Sequence, residues 1–201
     1  MKTLLLVLLF PVSCILCAQE LDSSIINQCN TAKNAAYLTQ AEKDVILYLN
    51  LVRTHPDEFS SIYLDKTAKR LKLDTTYEYR SLKEALKGRA PAGLLTPNEA
   101  LTIAGPVEHA MDMGTTGMKG HASSSGVKFS QRIRQFKGDK GECIDYKNTE
   151  GLMIVCHLLI DHKEPTFGHR KIILNPVYKT VGTAIRPHIK SKFICVIDFL
   201  G

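Results

Sequence analysis

Four polar residues at expected turns and helix ends are the strongest candidates for chemistry in this sequence. His121, Glu142 and His169 each directly follow a glycine, and Asp161 stands at the expected end of a helix. A glycine lets the backbone turn sharply and approach a cavity, so these side chains are presented into a space. Two imidazoles with nearby carboxylates suit a borderline cation such as zinc. The carboxylates are then further ligands, groups that orient the imidazoles, or a general base acting on a bound water.

Asp161 carries a further hint of a partner. A carboxylate in the last turn of a helix faces the negative end of the helix dipole, which costs about 0.3–1 kcal/mol when it is exposed. A cationic partner, a metal or the neighbouring His162 would compensate it, unless the helix ends a few residues away. Taken alone, each of the four candidate residues fits a structural role better than a functional one.

The motifs of the main nucleotide-binding and hydrolase classes are absent from the sequence. It contains no phosphate-binding glycine loop, dinucleotide fingerprint, Gly-x-Ser-x-Gly elbow or His-Glu-x-x-His helix. Residues 123–125 are three serines beside His121, but nothing fixes a base and an oxyanion donor around them, which favours a serine-rich turn. His162 and Glu164 with His169 resemble a metal cluster, although an intervening proline and glycine leave its geometry undefined.

Other histidines and one arginine are expected to be structural. His109 shares a predicted helix with Met111 and should be packed or half-buried. His157 and His188 have no partner that the sequence reveals. Arg170 is expected to anchor a loop by donating to backbone carbonyls or to a carboxylate.

Helices dominate the first half of the chain. Thr39 and Glu42 form a capping box, after which apolar residues repeat at helical spacing until the His-Pro pair at 55–56. The proline suits the first turn of another short helix that carries Phe59 inward. The pattern therefore predicts two consecutive helices.

Further helices follow, and the strands come late. Residues 81–84 repeat the capping pattern, and residues 96–99 combine an N-cap, a first-turn proline and a capping glutamate. The helix after them should bend at Pro106 and end near Gly114 or Gly117.

The pattern of the second half of the sequence predicts one helix and two strands. The helix should run from Thr149 until Pro165 breaks it, and residues 181–185 and 193–199 have the composition of strands. Helices first and strands late indicate an α+β fold in a single domain.

The N-terminus has the pattern of a secretory signal. Residues 1–18 contain a lysine, a short apolar run and small residues, and the run is too short to span a bilayer. We expect a secreted or periplasmic protein, with residues 19–37 as an N-terminal lead-in segment and residues 38–201 as the domain. Cys14 and Cys17 leave lipid anchoring as the alternative.

Charge and cysteine content limit the remaining function classes. The net charge of +6 is scattered, and aromatic residues are not interleaved with the basic ones, so nucleic acid is not an expected partner. Cys29, Cys143, Cys156 and Cys195 permit two disulfides in any of three pairings, or they are buried thiols.

Five short segments together resemble the signatures of the CAP superfamily, named for cysteine-rich secretory proteins, antigen 5 and pathogenesis-related 1. They are residues 108–113, 120–126, 141–142, 160–161 and 168–170. Their order and spacing agree with the family, and the match runs from about residue 38 to 199. The chain looks most like the bacterial branch.

The resemblance implies a three-layer α-β-α sandwich with a large cleft lined by His121, Glu142, Asp161 and His169. Some members bind a divalent metal at the two histidines, others bind sterols or fatty acids, and several are secreted effectors. Proteolysis has been proposed for a few, but no shared reaction defines the family.

The chain departs from the animal and plant pattern at several points. Asp161 stands where those members usually have glutamate, Cys143 replaces an asparagine, and no tryptophan occurs. The shorter Asp161 puts its reach to a shared ion in doubt. The chain ends at Gly201 without a C-terminal cysteine-rich module, so the channel-blocking role of that module is not carried over.

Three functions stay open at this point. The leading one is a secreted binding or effector module whose cleft holds a divalent metal at His121 and His169, together with an apolar ligand or a cell-envelope component. The second is a zinc-dependent, peptidase-like hydrolase in which Glu142 activates water. The third is a structural interaction domain with a vestigial cleft. We expect no transmembrane segment.

Overall fold

A mixed four-stranded sheet separates two helical layers in the computed structural model, which describes residues 21–201. The strands are β1 (Thr96–Pro97), β2 (Lys140–Tyr146), β3 (Thr180–His188) and β4 (Lys192–Leu200). Their order is β1-β3-β4-β2, with β1 parallel to β3 and the other pairs antiparallel. Strand β2 therefore lies at an edge of the sheet.

The larger helical layer contains most of the apolar core. Its helices are α1 (Ser23–Cys29), α2 (Gln40–Thr54), α3 (Pro56–Phe59), α4 (Asp65–Leu71), α5 (Tyr77–Leu86), α9 (Gly151–Ile160) and α10 (Gly168–Ile173). Alternate residues of β4, among them Ile197 and Phe199, point into this layer because successive strand side chains face opposite ways.

The smaller layer covers the other face of the sheet. It contains α6 (Glu99–Thr102), α7 (Glu108–Thr116) and α8 (Phe129–Arg132). A π-helical turn, Ile103–Val107, joins α6 to α7 and contains Pro106, and α7 ends at Gly117 in the left-handed conformation. The two layers and the sheet form the expected α-β-α sandwich, so the α+β prediction is confirmed. No helix within residues 21–201 is long and apolar enough to cross a bilayer.

The capping box predicted at the start of α2 is confirmed. Glu42 Oε2 accepts from the Thr39 backbone N–H at 2.8 Å, and Thr39 Oγ1 accepts from the Glu42 N–H. Glu42 Oε1 also accepts from the Ile185 N–H and from Arg186 Nη1, at 2.8 and 2.7 Å. The capping residue therefore also fastens α2 to strand β3.

Two predicted helix starts are wrong. Thr96 does not cap a helix, because it pairs with β3 and its N–H donates to Lys179 O at 2.8 Å. Asn98 caps α6 instead, accepting from the Leu101 N–H at 2.8 Å. Ser81 lies inside α5, which starts at an N-cap formed by Thr76. Thr96 is in a strand because it pairs with the distant strand β3. Helix α5 begins before Ser81 because Thr76, earlier in the sequence, caps it.

Three elements carried no clear sequence signal. Helix α1 lies in the segment expected to be a lead-in, and its Cys29 is part of the core. Strand β2 contains a glycine and two acidic residues, which strands disfavour. Helix α10 has six residues, too few to display a helical period. Elements β2 and α10 are important because they carry Glu142 and His169.

The four described cysteines are buried free thiols, which is the second of the two alternatives left open by the sequence. Burial raises the pKa of Cys156 to about 12 and raises those of Cys143 and Cys195 as well, so the thiols stay protonated. They pack as small apolar side chains. Cys14 and Cys17 lie outside the described residues.

Arg53 is a fully buried cation that connects three parts of the chain. Its guanidinium donates to five backbone carbonyls, those of Ala92, Gly93, Ile173, Asn175 and Tyr178, at 2.6–3.2 Å. Burial lowers its pKa to about 10. The end of α2 is thereby held to the segment before β1 and to the segment between α10 and β3.

We expect Arg53→Lys to lower the free energy of unfolding by about 3 kcal/mol or more. Lysine has three donors, so at least two buried carbonyls lose a bond to a charged group, each worth about 1.5–3 kcal/mol. Urea denaturation followed by circular dichroism measures the change.

Arg70→Lys is the matched control. Arg70 pairs with Glu150 at 2.7 Å, and both side chains are more than half exposed. Its replacement should cost less than about 1 kcal/mol. Equal losses for the two variants would contradict the role assigned to Arg53.

Candidate functional site

His121 is held by a buried carboxylate of the edge strand. It follows Gly120 in the loop after α7, and its Nδ1 lies 2.8 Å from Glu142 Oε1. The Glu142 side chain is 1% exposed, whereas that of His121 is 55% exposed. The imidazole therefore reaches solvent while its inner nitrogen is fixed from the core side.

Arg132 holds the other side of the same carboxylate. Its Nη2 donates to Glu142 Oε2, and its Nη1 donates to the His121 carbonyl at 2.6 Å. Both oxygens of Glu142 are thus engaged. Arg132 was not among the residues selected from the sequence, because only the folded chain brings its side chain to Glu142.

His169 and Asp161 form a second pair of the same kind. Asp161 caps the end of α9 in the left-handed conformation, with φ of 58°. Its fully buried carboxylate accepts from His169 Nδ1 at 2.7 Å, from the His169 N–H at 3.0 Å and from the Arg170 N–H at 3.3 Å. These donors compensate the position of Asp161 at a helix end. His162, one of the partners suggested from the sequence, instead has its Nδ1 3.3 Å from Glu78 Oε2, so that suggestion is wrong.

Arg170 anchors this second pair, as the sequence predicts. Its Nε donates to Leu159 O at 2.8 Å, and its Nη2 donates to Ile160 O and Glu78 O. Arg170 thereby holds the start of α10 against the last carbonyls of α9. His169, next to Arg170, is placed by the same bonds.

The two pairs leave the same ring atom free. In each pair Nδ1 faces a carboxylate oxygen, and the neutral tautomer that donates Nδ1–H to it leaves the lone pair on Nε2, which is the atom available to a ligand. This geometry resembles the carboxylate–histidine arrangement that orients metal ligands in proteins. Glu142 and Asp161 therefore act on the imidazoles, and the shorter Asp161 has no need to reach a shared ion.

Both pairs lie beside consecutive residues of β2. His121 bonds to Glu142, and the His169 carbonyl lies 3.9 Å from Cys143 Sγ. Consecutive residues of a strand point to opposite faces of the sheet, so the two pairs approach β2 from opposite sides. His169 and Asp161 also line a cavity of about 120 Å³, of which His121 is not a lining residue.

A third pair, which the sequence did not reveal, joins His157 to Asp145. His157 Nδ1 is hydrogen-bonded to the fully buried Asp145 carboxylate, and this bond raises the pKa of His157. His157 lies in the last turn of α9 and lines the same cavity as His169. Nothing in the sequence points to Asp145 as the partner of His157, because only the packing of α9 on β2 brings the two together.

Two further histidines, His109 and His188, have structural roles. His109 is 1% exposed, its Nε2 lies 2.8 Å from Gly120 O, and burial lowers its pKa, which agrees with the predicted packing role. His188 is buried. Its Nε2 atom lies 3.0 Å from Met118 O, and its Nδ1 atom accepts from the Ser191 N–H.

The serines near His121 form the expected turn. Ser123 and Ser125 are bonded to each other through their hydroxyls, and Ser124 donates to Asp112. Among the described contacts, these hydroxyls bond to Asp112, to each other and to the Val127 N–H, and none of them bonds to an imidazole. Within residues 21–201, no group of three or more His, Cys, Asp or Glu side chains is arranged to hold a metal ion.

A buried carboxyl group, Asp198, lies behind the first pair. It faces Glu142 across the β2–β4 ladder, and no donor among the described residues reaches either of its oxygens. Burial, followed by the charge of Glu142, raises the pKa of Asp198 well above its ordinary value near 3.8. The acid therefore stays protonated over a range in which an exposed aspartate is ionised.

We expect Asp198→Asn to change how stability depends on pH. The folded wild-type protein keeps a proton that the unfolded chain loses above about pH 3.8, so its stability falls as pH rises toward the raised pKa, at up to about 1.4 kcal/mol per pH unit. Asparagine does not titrate. The free energy of unfolding of the variant, measured in urea and compared with that of the wild type, should therefore increase as pH rises from about 4 to about 7. The control is Asp139→Asn, at an exposed position, and its free energy of unfolding should follow that of the wild type. Parallel curves for Asp198→Asn would refute the assignment.

Comparisons with known proteins identify a family. The family model described as the Cysteine-rich secretory protein family, CAP, matches residues 73–199. Among solved structures, the chain is similar to an outer surface protein from Borrelia burgdorferi, with 18% identity, 67% of this chain and 92% of that chain covered, and a TM-score of 0.45. No curated protein matches the chain.

The family match covers more than half of the chain and contains all four residues that the sequence selected for the cleft. It begins at residue 73, later than the start near residue 38 that the sequence suggested. The chain belongs to the cysteine-rich secretory protein (CAP) family.

Proposed function

We propose that this protein is a secreted binding module that holds a divalent cation such as zinc at His121 and His169. The observation that carries the proposal is that both rings bond to a buried carboxylate through Nδ1 and keep Nε2 free. Neutral imidazole nitrogens suit zinc, and such carboxylates increase their basicity. A bound cation would supply a Lewis acid that anchors an oxygen of the ligand.

Hydrolysis is the less favoured function of this cleft. A general base needs a carboxylate oxygen within reach of a water molecule. Glu142, the candidate base, is 1% exposed, and its oxygens are engaged by His121 and Arg132. These contacts favour a supporting role for Glu142 over activation of water.

The apolar ligand and the cell-envelope component implied by the family resemblance stay predictions. A mainly apolar groove of about 450 Å³ beside Met111, Pro187 and Ile189 is the surface on which such a ligand would fit. Met111 and Ile189 are 55% and 70% exposed and line the same groove, so their apolar surface is available together to a ligand.

Zinc titration by calorimetry tests the cation site. His169→Ala and His121→Ala should each weaken binding at least about tenfold, and wild-type affinity should fall at acidic pH because a protonated imidazole is no ligand. His55→Ala, at the junction of α2 and α3, is the control and should bind like the wild type. Unchanged affinity in both cleft variants would place the metal elsewhere. Metal-dependent cleavage of a peptide library that Glu142→Gln abolishes, with zinc binding intact, would make hydrolysis the better assignment.

Export is the second part of the proposal, and it depends on residues 1–18, which lie outside the described residues. N-terminal sequencing of the protein from the periplasm or the medium should begin at or near Gln19. An intact Met1 on cytosolic protein would refute export. A lipid-modified Cys14 or Cys17 would instead indicate membrane anchoring.

A further inference from the structure

The pair of His157 and Asp145 is built like the two pairs of the cleft. Asp145 is fully buried, and besides His157 Nδ1 it accepts from Asn148 Nδ2 at 2.9 and 3.2 Å. The ring is thus oriented by a carboxylate that is itself fixed. Its Nε2 is left free, and the side chain is 40% exposed.

His157 meets β2 from the same face as His169, whereas His121 meets it from the other face, so a cation shared by His121 and His169 would have to lie beside the free edge of β2. Residues 142 and 145 of β2 are three positions apart, so their side chains point to opposite faces. Asp145 accordingly meets His157 of α9, and Glu142 meets His121 of the smaller layer. His157 and His169 share a cavity of about 120 Å³ with His162 and Glu164.

We propose that His157 is a metal-binding residue that holds the cation together with His169. The inference rests on the proposed function in one respect, since it takes the chain to bind a divalent cation, and it names His157 as a ligand on the α9–α10 side. Two imidazoles whose Nδ1 atoms are held by buried carboxylates face one cavity there.

The remaining groups around this cavity favour a cation. The buried carboxylates of Asp145 and Asp161 stand directly behind the two rings. His162 is 30% exposed, and its Nδ1 lies 3.3 Å from Glu78 Oε2, so a further imidazole lies at the rim. Nitrogen donors supported by carboxylates are the surroundings in which zinc is bound.

Zinc titration of His157→Gln, with the metal alone as the probe, tests the inference. Glutamine keeps an N–H that can donate to Asp145 but has no imidazole nitrogen, so the buried carboxylate is not left without a donor. Urea unfolding verifies that the variant is folded. His121→Ala and the control His55→Ala are titrated beside it.

We expect His157→Gln to weaken zinc binding at least about tenfold. That result supports the inference whether or not His121→Ala is weakened as well, because the loss of binding identifies His157 itself as a residue on which the cation depends. Normal binding by His157→Gln with weakened binding by His121→Ala would overturn the inference and leave the proposed function standing. Normal binding by both variants and by His169→Ala would overturn both.

Imidazole ¹⁵N spectra of the wild-type protein give a second measurement that does not depend on a variant. Added zinc should shift the Nε2 resonances of His157 and His169 together and leave their Nδ1 resonances in the N–H range, because the carboxylates keep those protons. A shift of His169 without His157 would overturn the inference.

Discussion

The fold depends on a buried positive charge that is balanced by backbone carbonyls. The Arg53 guanidinium is stabilised by five of them from two distant segments, so those segments must come to the end of α2 for the charge to be buried at all. An arginine buried without these bonds would cost several kcal/mol. One of these carbonyls belongs to Ile173, at the end of α10. The charge in the core therefore also restrains the short helix that carries His169.

The same physical rule governs the two histidine–carboxylate pairs. A charged or polar group enters the interior only where neighbours complete its hydrogen bonds. Asp161 is buried at the end of α9 because backbone and ring donors from the start of α10 reach it, and Glu142 is buried because Arg132 and His121 do. The acids are interior supports, and the imidazoles are the exposed parts. The two pairs therefore expose their rings while their carboxylates stay buried.

Three histidine–carboxylate pairs surround the edge strand, and their distribution follows from its alternation. Glu142 supports a ring on one face of β2, and Asp145 supports a ring on the other. The side chains of His121 and His157, one on each face, are 55% and 40% exposed. Acidic side chains of this one short strand thus hold imidazole rings on both faces of the sheet.

The sequence by itself determined the class of fold, the capping of α2, the end of α7 and the final two strands, because capping residues, helical spacing and β-branched runs act locally. It also selected His121, Glu142, Asp161 and His169, through glycine neighbours and the family resemblance. Only the tertiary structure decided which acid holds which histidine. Arg132, Asp145 and Asp198 gave no local signal, since each is defined by a partner that is distant in sequence or on another element. Strand β2 escaped prediction for the same reason: its acidic residues are compatible with a strand only after helices supply the donors that bury them.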